Sequence, residues 1–183
     1  VGAQGVNVTG NAQWIEWLLA PGTTTGFAPI YNIDTGKPFA CIQEAIDHSL
    51  TNDGDIIECT DGTYTHGEPI QVTKGVTIQG GSKPIADGAG GQFTFEVKHD
   101  DVTIKNFKIT NSNPSSSSYN AGIQVWAHNN ILIRGCIIYD IAGPSSALDS
   151  GICFWGTDNS EAIWNHIRNI DDYGVRMGNG NDN

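Results

Sequence analysis

The sequence predicts an all-β fold, a parallel β-helix of about four to five coils with a capping α-helix at its N-terminal end. Three observations predict it. First, residues recur at a fixed step: Ile104, Ile133 and Ala162 are each 29 apart, as are Ile109, Ile138 and Ile167, and Asn111, Asp140 and Asn169. Gly122/Gly151 and Trp126/Trp155 keep the same step. Second, apolar residues alternate within each repeat, as in Val102/Ile104 and Phe107/Ile109, and are punctuated by Asn, Gly and Asp, which is the signature of strands. Third, Ile42, Ala45 and Ile46 share one helical face just before the first such strand, and that helix stops ahead of Asn52-Asp53-Gly54.

Residues 1–37 read as an N-terminal extension, irregular and rich in Gly, Thr and Asn. Its apolar island Trp14-Ile15-Glu16-Trp17-Leu18-Leu19-Ala20, closed by Pro21-Gly22, packs on the solenoid as a flap or on a neighbouring subunit, with Trp14 and Trp17 as contact residues. Asn7-Val8-Thr9 is an N-glycosylation sequon; Pro114 spoils the one at Asn113. A start at Val1 without Met fits removal of a signal segment, hence a secreted or cell-surface protein.

Residues 38–183 read as the β-helix domain, with the helical cap at 41–50 shielding the open end of the first coil. A single coil cannot bury its own inward side chains; stacked at about 4.8 Å, successive coils align them in columns. The inward columns are Val102/Ile131/Ser160, Ile104/Ile133/Ala162, Phe107/Cys136/Asn165 and Ile109/Ile138/Ile167, with Ile123/Ile152 and Val125/Phe154 on a third sheet. Coil length varies: Ile78 to Ile104 is 26 residues and Gly151 to Gly174 is 23, and loops absorb the difference. No C-terminal cap is visible in Gly178-Asn179-Gly180-Asn181-Asp182-Asn183. Either the natural protein continues there or another subunit covers the last coil.

The block Phe39-Ala40-Cys41-Ile42-Gln43-Glu44-Ala45-Ile46-Asp47, then Gly54-Asp55-Ile56-Ile57, Asp61-Gly62-Thr63-Tyr64 and Val76-Thr77-Ile78-Gln79-Gly80 resembles the opening of the pectate-lyase-like superfamily. Val102 to Ile109 and Asn130 to Ile138 look like that family's coil repeats. The resemblance covers about residues 38–182 and implies a single-stranded, right-handed β-helix. It leaves the activity open among polysaccharide lyases, polygalacturonases, pectin esterases and surface proteins. The polygalacturonase set is not met, since Asp158, Asp171, Asp172 and Arg176 are fragments of it and its Gly-His is missing.

Composition narrows the partners. With 9 basic against 20 acidic residues the net charge is −11, which argues against nucleic acid, and no run of about 18 apolar residues offers a membrane span. Lys105 and Arg134, 29 apart, stack outward; β-helix lyases use such basic pairs to abstract the proton beside a uronate carboxylate, with Ca²⁺ neutralising the acid. Otherwise they form a solvated charge column. Asp100, Asn129 and Asp158 form a column that either holds a cation or satisfies turn donors as a ladder. His99 and His128 lack a third ligand. No cofactor is required, although Ca²⁺ is compatible.

Alternation places Trp126 and Trp155 outward, one coil apart, as a contact surface for a subunit, the island or a sugar. Cys41 and Cys59 are placed for a disulfide stapling the cap; Cys136 points inward and Cys153 outward as a free or intermolecular thiol. The expected function is a structural module that assembles head to tail into a filament, sheath or surface layer. The alternative is a polysaccharide lyase, glycoside hydrolase or carbohydrate-binding β-helix.

Overall fold

A computed structural model describes residues 30–113, 119–143 and 148–178. Asn7, Trp14, Trp17 and the C-terminal residues 179–183 lie outside the described residues. Three sheets carry the chain. The first holds β1 (Ile30–Asn32), β2 (Lys37–Phe39), β3 (Ile56–Cys59), β6 (Thr77–Gly80), β9 (Thr103–Lys105), β12 (Leu132–Arg134) and β15 (Glu161–Ile163). The second holds β4 (Thr63–Thr65), β7 (Ile85–Asp87), β10 (Lys108–Thr110), β13 (Ile137–Ile141) and β16 (His166–Ile170). β5 (Ile70–Val72), β8 (Phe93–Val97), β11 (Tyr119–Trp126), β14 (Leu148–Trp155) and β17 (Tyr173–Gly178) form the third.

From β3 onward the chain visits the three sheets in rotation, and each strand lies parallel to the strand one coil earlier. This stacking is compatible with a β-helix. The repeat step is one coil: Ile57, Ile78, Ile104, Ile133 and Ala162 pair in register across the first sheet. Ile109, Ile138 and Ile167 do so in the second, and Ile123/Ile152, Val125/Phe154 and Trp126/Trp155 in the third. Ile57, Ile78, Ile104 and Ile133 are fully buried, each stabilising the fold by about 1.5–3 kcal/mol relative to exposure. In the last described coil the burial loosens, with Ala162, Ile167 and Ile170 only partly buried and Val175 and Met177 exposed.

The recurring turn residues have a backbone reason. Asn111, Asp140 and Asn169 adopt φ of 64, 55 and 52°, the left-handed region that short polar side chains tolerate best. Their side chains also bond from coil to coil: Asn111 Nδ2 donates to Asp87 Oδ1 at 2.8 Å, and Asn169 Nδ2 to Asp140 Oδ1 at 3.0 Å.

The N-terminal end differs from expectation in two ways. The helix α1 spans Ile42–Asp47, shorter than 41–50, because the His48 N–H closes it on Glu44 O and the next residues turn to satisfy Thr51. Ile42, Ala45 and Ile46 are its buried face, as their spacing requires. Ahead of it, β1 and β2 form a hairpin whose first strand pairs antiparallel with β3, crossing the boundary read at residue 37 between the extension and the β-helix domain. Three-residue strands, one with Pro38 on an edge, carry too little alternation to be recognised.

Candidate functional site

Among the described residues, clefts on the outer faces of the first and third sheets hold the side chains singled out by the sequence. On the first sheet the outward positions Glu58, Gln79, Lys105 and Arg134 stand in register on successive strands. Gln79 Nε2 donates to Glu58 Oε2 at 2.7 Å, tying the acidic end of the column together. At the other end the Arg134 guanidinium lies 4.2 Å from the Trp164 ring centroid. These residues, with Asn106 and Gly135, line a cleft of about 490 Å³. Trp164 is 76% exposed and holds φ at 56°, an unfavourable conformation for a bulky side chain. Its counterparts in the preceding coils are Asn106 and Gly135, at φ 62 and 65°. Lys105 and Arg134 are therefore brought together as expected, but the guanidinium is engaged with an indole.

On the third sheet Trp126 and Trp155 stack with centroids 5.8 Å apart and an interplanar angle of 27°. Gly178 pairs with Trp155, and an added Cβ there would meet the indole at 2.0 Å, so the ring lies over the bare backbone. Tyr119 packs against Trp126 at 6.4 Å and against Phe93 at 6.3 Å. With Leu148, Gln124 and Cys153 they wall a largely apolar groove of about 110 Å³, and Arg176, 5.2 Å from Trp155, is its charged member. Cys153 faces outward as the alternation requires, yet it is buried with Phe93 and Ala121 on the groove side and is no surface thiol. Burial raises its pKa, and the Arg176 charge opposes that shift.

The Asp100, Asn129 and Asp158 column is assembled as a turn ladder. Asp100 Oδ1 accepts from Asn129 N at 2.9 Å and contacts His128 Nδ1 at 3.2 Å; Asn129 Oδ1 accepts from Asp158 N at 2.7 Å. The hydrogen bond from Asn129 N, then that from His128, hold the Asp100 carboxyl below its ordinary pKa. Among the described residues no three His, Cys, Asp or Glu side chains converge as a metal site would need.

The cysteine expectation needs correction: all four are free thiols. Cys41 Sγ instead accepts from Glu44 N at 3.4 Å as the N-cap of α1. Cys59 is enclosed in the core next to Ile30 of the unforeseen hairpin, and burial drives its thiol pKa upward. Cys136 packs inward, its pKa pushed up to about 11 by burial.

Trp164, Tyr119 and Leu148 escaped the sequence reading, and Arg176 was weighed there only as a fragment of the polygalacturonase set, not as a neighbour of the Trp pair. Trp164 follows a strand residue rather than sharing the Trp126/Trp155 column, and the six-residue shortening of the last coil hides the Gln124/Cys153/Arg176 register. Counting forward from the Gly151/Gly174 pair would have found that register.

The fold and these clefts define an all-β protein of stacked parallel sheets with polar and aromatic outer faces. The chain is similar to a cell surface glycoprotein of Methanothermus fervidus, with 38% identity over 85 residues, which is 46% of this chain and 14% of that protein. No protein-family model matches the chain. No solved structure matches it. Among the described residues no helix is long and apolar enough to cross a membrane.

Proposed function

We propose that this chain is a secreted, cell-surface structural module, a closed, right-handed β-helix of the pectate-lyase-like kind that associates head to tail with copies of itself. The observation that carries the surface location is the 85-residue likeness to a protein named as a cell surface glycoprotein. A structural role is supported by how the outward polar groups are spent. Asp100 and Asn129 serve backbone donors of the next coil, and Arg134 is packed on Trp164. Self-association draws support from the sheets' mode of growth, in which every coil edge is a template for another parallel strand. A neighbouring copy presenting its own coil meets that demand, and such a heterologous contact propagates as a filament or layer.

The test is surface labelling of intact cells with an antibody to this chain, combined with electron microscopy of the native material. Surface label on an ordered array is expected. A cytosolic antigen, or a full-length chain that light scattering finds monomeric at high concentration, overturns the location or the association respectively.

One observation favours a second reading, binding of an acidic polysaccharide in the first-sheet cleft. Lys105 and Arg134 offer two cations for uronate carboxylates, and the exposed, strained Trp164 offers a ring face for a sugar. Incubation with uronate polymers, with and without Ca²⁺, separates the cases. Unsaturated product marks a lyase, saturable binding without product marks a lectin-like surface, and neither removes this reading.

A further inference from the structure

The corner where the chain passes from the first sheet to the second is regular in the later coils and enlarged in the earlier ones. Residues 106–107, 135–136 and 164–165 make the passage in two residues each, whereas it takes residues 60–62 between β3 and β4 and 81–84 between β6 and β7. The core does not need the extra length, because Ile57, Ile78, Ile104 and Ile133 keep their register regardless. The two enlarged turns, with Lys108, wall a cleft of about 290 Å³ apart from the one at Arg134. We infer that this cleft binds a polyol phosphodiester, a phosphate that joins two hydroxyl-bearing alcohols. The inference goes beyond the structural reading and does not depend on it.

Opposite charges line the cleft and do not meet. Lys83, Lys108 and Asp61 all border it, yet none of them makes an ion pair among the described residues. Most other basic side chains are engaged: Lys74 donates to the His48 and Thr51 carbonyls, Lys98 pairs with Glu96, and Arg134, Arg168 and Arg176 lie on aromatic rings. Lys83 also holds φ at 66°, a strained conformation that persists only where its surroundings impose it. Here Pro84 imposes it, buried against Gly80 where no Cβ would fit. Pro84 O accepts from Lys108 N at 2.8 Å, so both lysines are carried on one tied stretch of backbone.

The donor set decides the ligand class. Ammoniums are compact point charges that suit a tetrahedral phosphate, whereas the planar guanidinium of Arg134 in the neighbouring cleft suits a carboxylate. The exposed hydroxyls of Thr63 and Ser82 border the same space and can donate to phosphate oxygens. As a carboxylate Asp61 only accepts, so the ligand must also bring a donor, which a hydroxyl beside the phosphate supplies. Two ammoniums and one carboxylate leave a single positive charge, and the single negative charge of a diester matches it. A monoester, at about −1.5 to −2 near pH 7, would set excess negative charge against Asp61.

Isothermal titration calorimetry of the full-length chain with glycerophosphoglycerol at low salt tests the assignment. Saturable binding is expected, and Lys83→Ala and Lys108→Ala should each weaken it about tenfold. Lys83→Gly removes the ammonium but accepts the positive φ, so it should weaken binding as much without lowering the melting temperature, which separates a lost contact from a lost fold. Asp61→Ala should weaken glycerophosphoglycerol and strengthen inorganic phosphate. If it strengthens both, Asp61 merely repels anions and the diester assignment is overturned. Absence of saturable binding, or lysine variants of unchanged affinity, overturns it as well. Phosphatidylglycerol vesicles identify the source of the diester. Lysine-dependent binding to vesicles and soluble diester alike marks a lipid headgroup, binding of the soluble diester alone marks a free or polymeric one, and binding to vesicles alone overturns the cleft as the site.

Discussion

Gly122→Ala and Gly151→Ala test whether the sheets stack as closely as the register implies, with Gly174→Ala as the internal control. A Cβ on Gly122 would stand 2.8 Å from Ile138 Cγ2 and 2.9 Å from Gly151 O. On Gly151 it would stand 2.6 Å from Ile167 Cγ2 and 2.7 Å from Gly174 O. Gly174 has room, its nearest neighbour being Ile167 Cγ2 at 4.0 Å. Overpacking costs about 1–3 kcal/mol, while Gly→Ala recovers about 0.4–1 kcal/mol by restricting the unfolded chain. Net losses of up to about 2.6 kcal/mol are expected at Gly122 and Gly151, and a small gain at Gly174. For a domain of this size each kcal/mol moves Tm by about 2–4 °C. The shorter contacts at Gly151 need not make it the worse site, because Ile167 is only partly buried and can give way, whereas Ile138 is fully buried. Thermal melts followed by circular dichroism rank the three. If Gly174→Ala is as damaging as the other two, the carbonyl and isoleucine contacts are not what limits these positions.

Three further outcomes follow from the same geometry. Ile133→Asp places a lone carboxylate between Ile104 and Ala162 and should cost several kcal/mol or abolish folding, which urea titration would show as a collapsed midpoint. His66 has a pKa lowered by desolvation, with Nε2 buried and unpartnered, so its folded form resists protonation. Its contribution is present above 6.5 and is lost as pH falls from 6.5 through the depressed value; the urea midpoint should drop over that window, and His66→Gln should flatten the drop. A double-mutant cycle on Arg134→Ala and Trp164→Ala should give a coupling of about 0.5–1 kcal/mol, since the indole is exposed, and zero coupling would mean the stack is absent in solution.

Much of the architecture was legible because parallel strands stacked at a fixed repeat write that repeat into the sequence. Ile104, Ile133 and Ala162 could be aligned on spacing alone, and the same spacing marked Asn111, Asp140 and Asn169 as recurring turn positions, whose positive φ the structure then showed. The outward Trp126/Trp155 pair and the Lys105/Arg134 pair were equally readable, since strand alternation decides which face a side chain takes. Cys41 and Cys59 were not: proximity to a cap suggested a bond, while the actual partners, Glu44 N for one and the core for the other, depend on a helix shortened to six residues and on a hairpin without sequence signal.

The sequence by itself determined the coil step, the inward columns and the residues that turn the chain, because each depends only on local alternation and on equal spacing between neighbours. Only the tertiary structure decided which side chains the outer faces bring together. Trp164 stands one place beyond the Lys105/Arg134 column, where alternation names no partner for it, and Arg176 joins the groove of Tyr119, Trp126, Leu148 and Trp155 across a step of 23 residues from Cys153 where the preceding step is 29. Loop length, free to vary without disturbing the core, breaks the count that a reader of the sequence relies on.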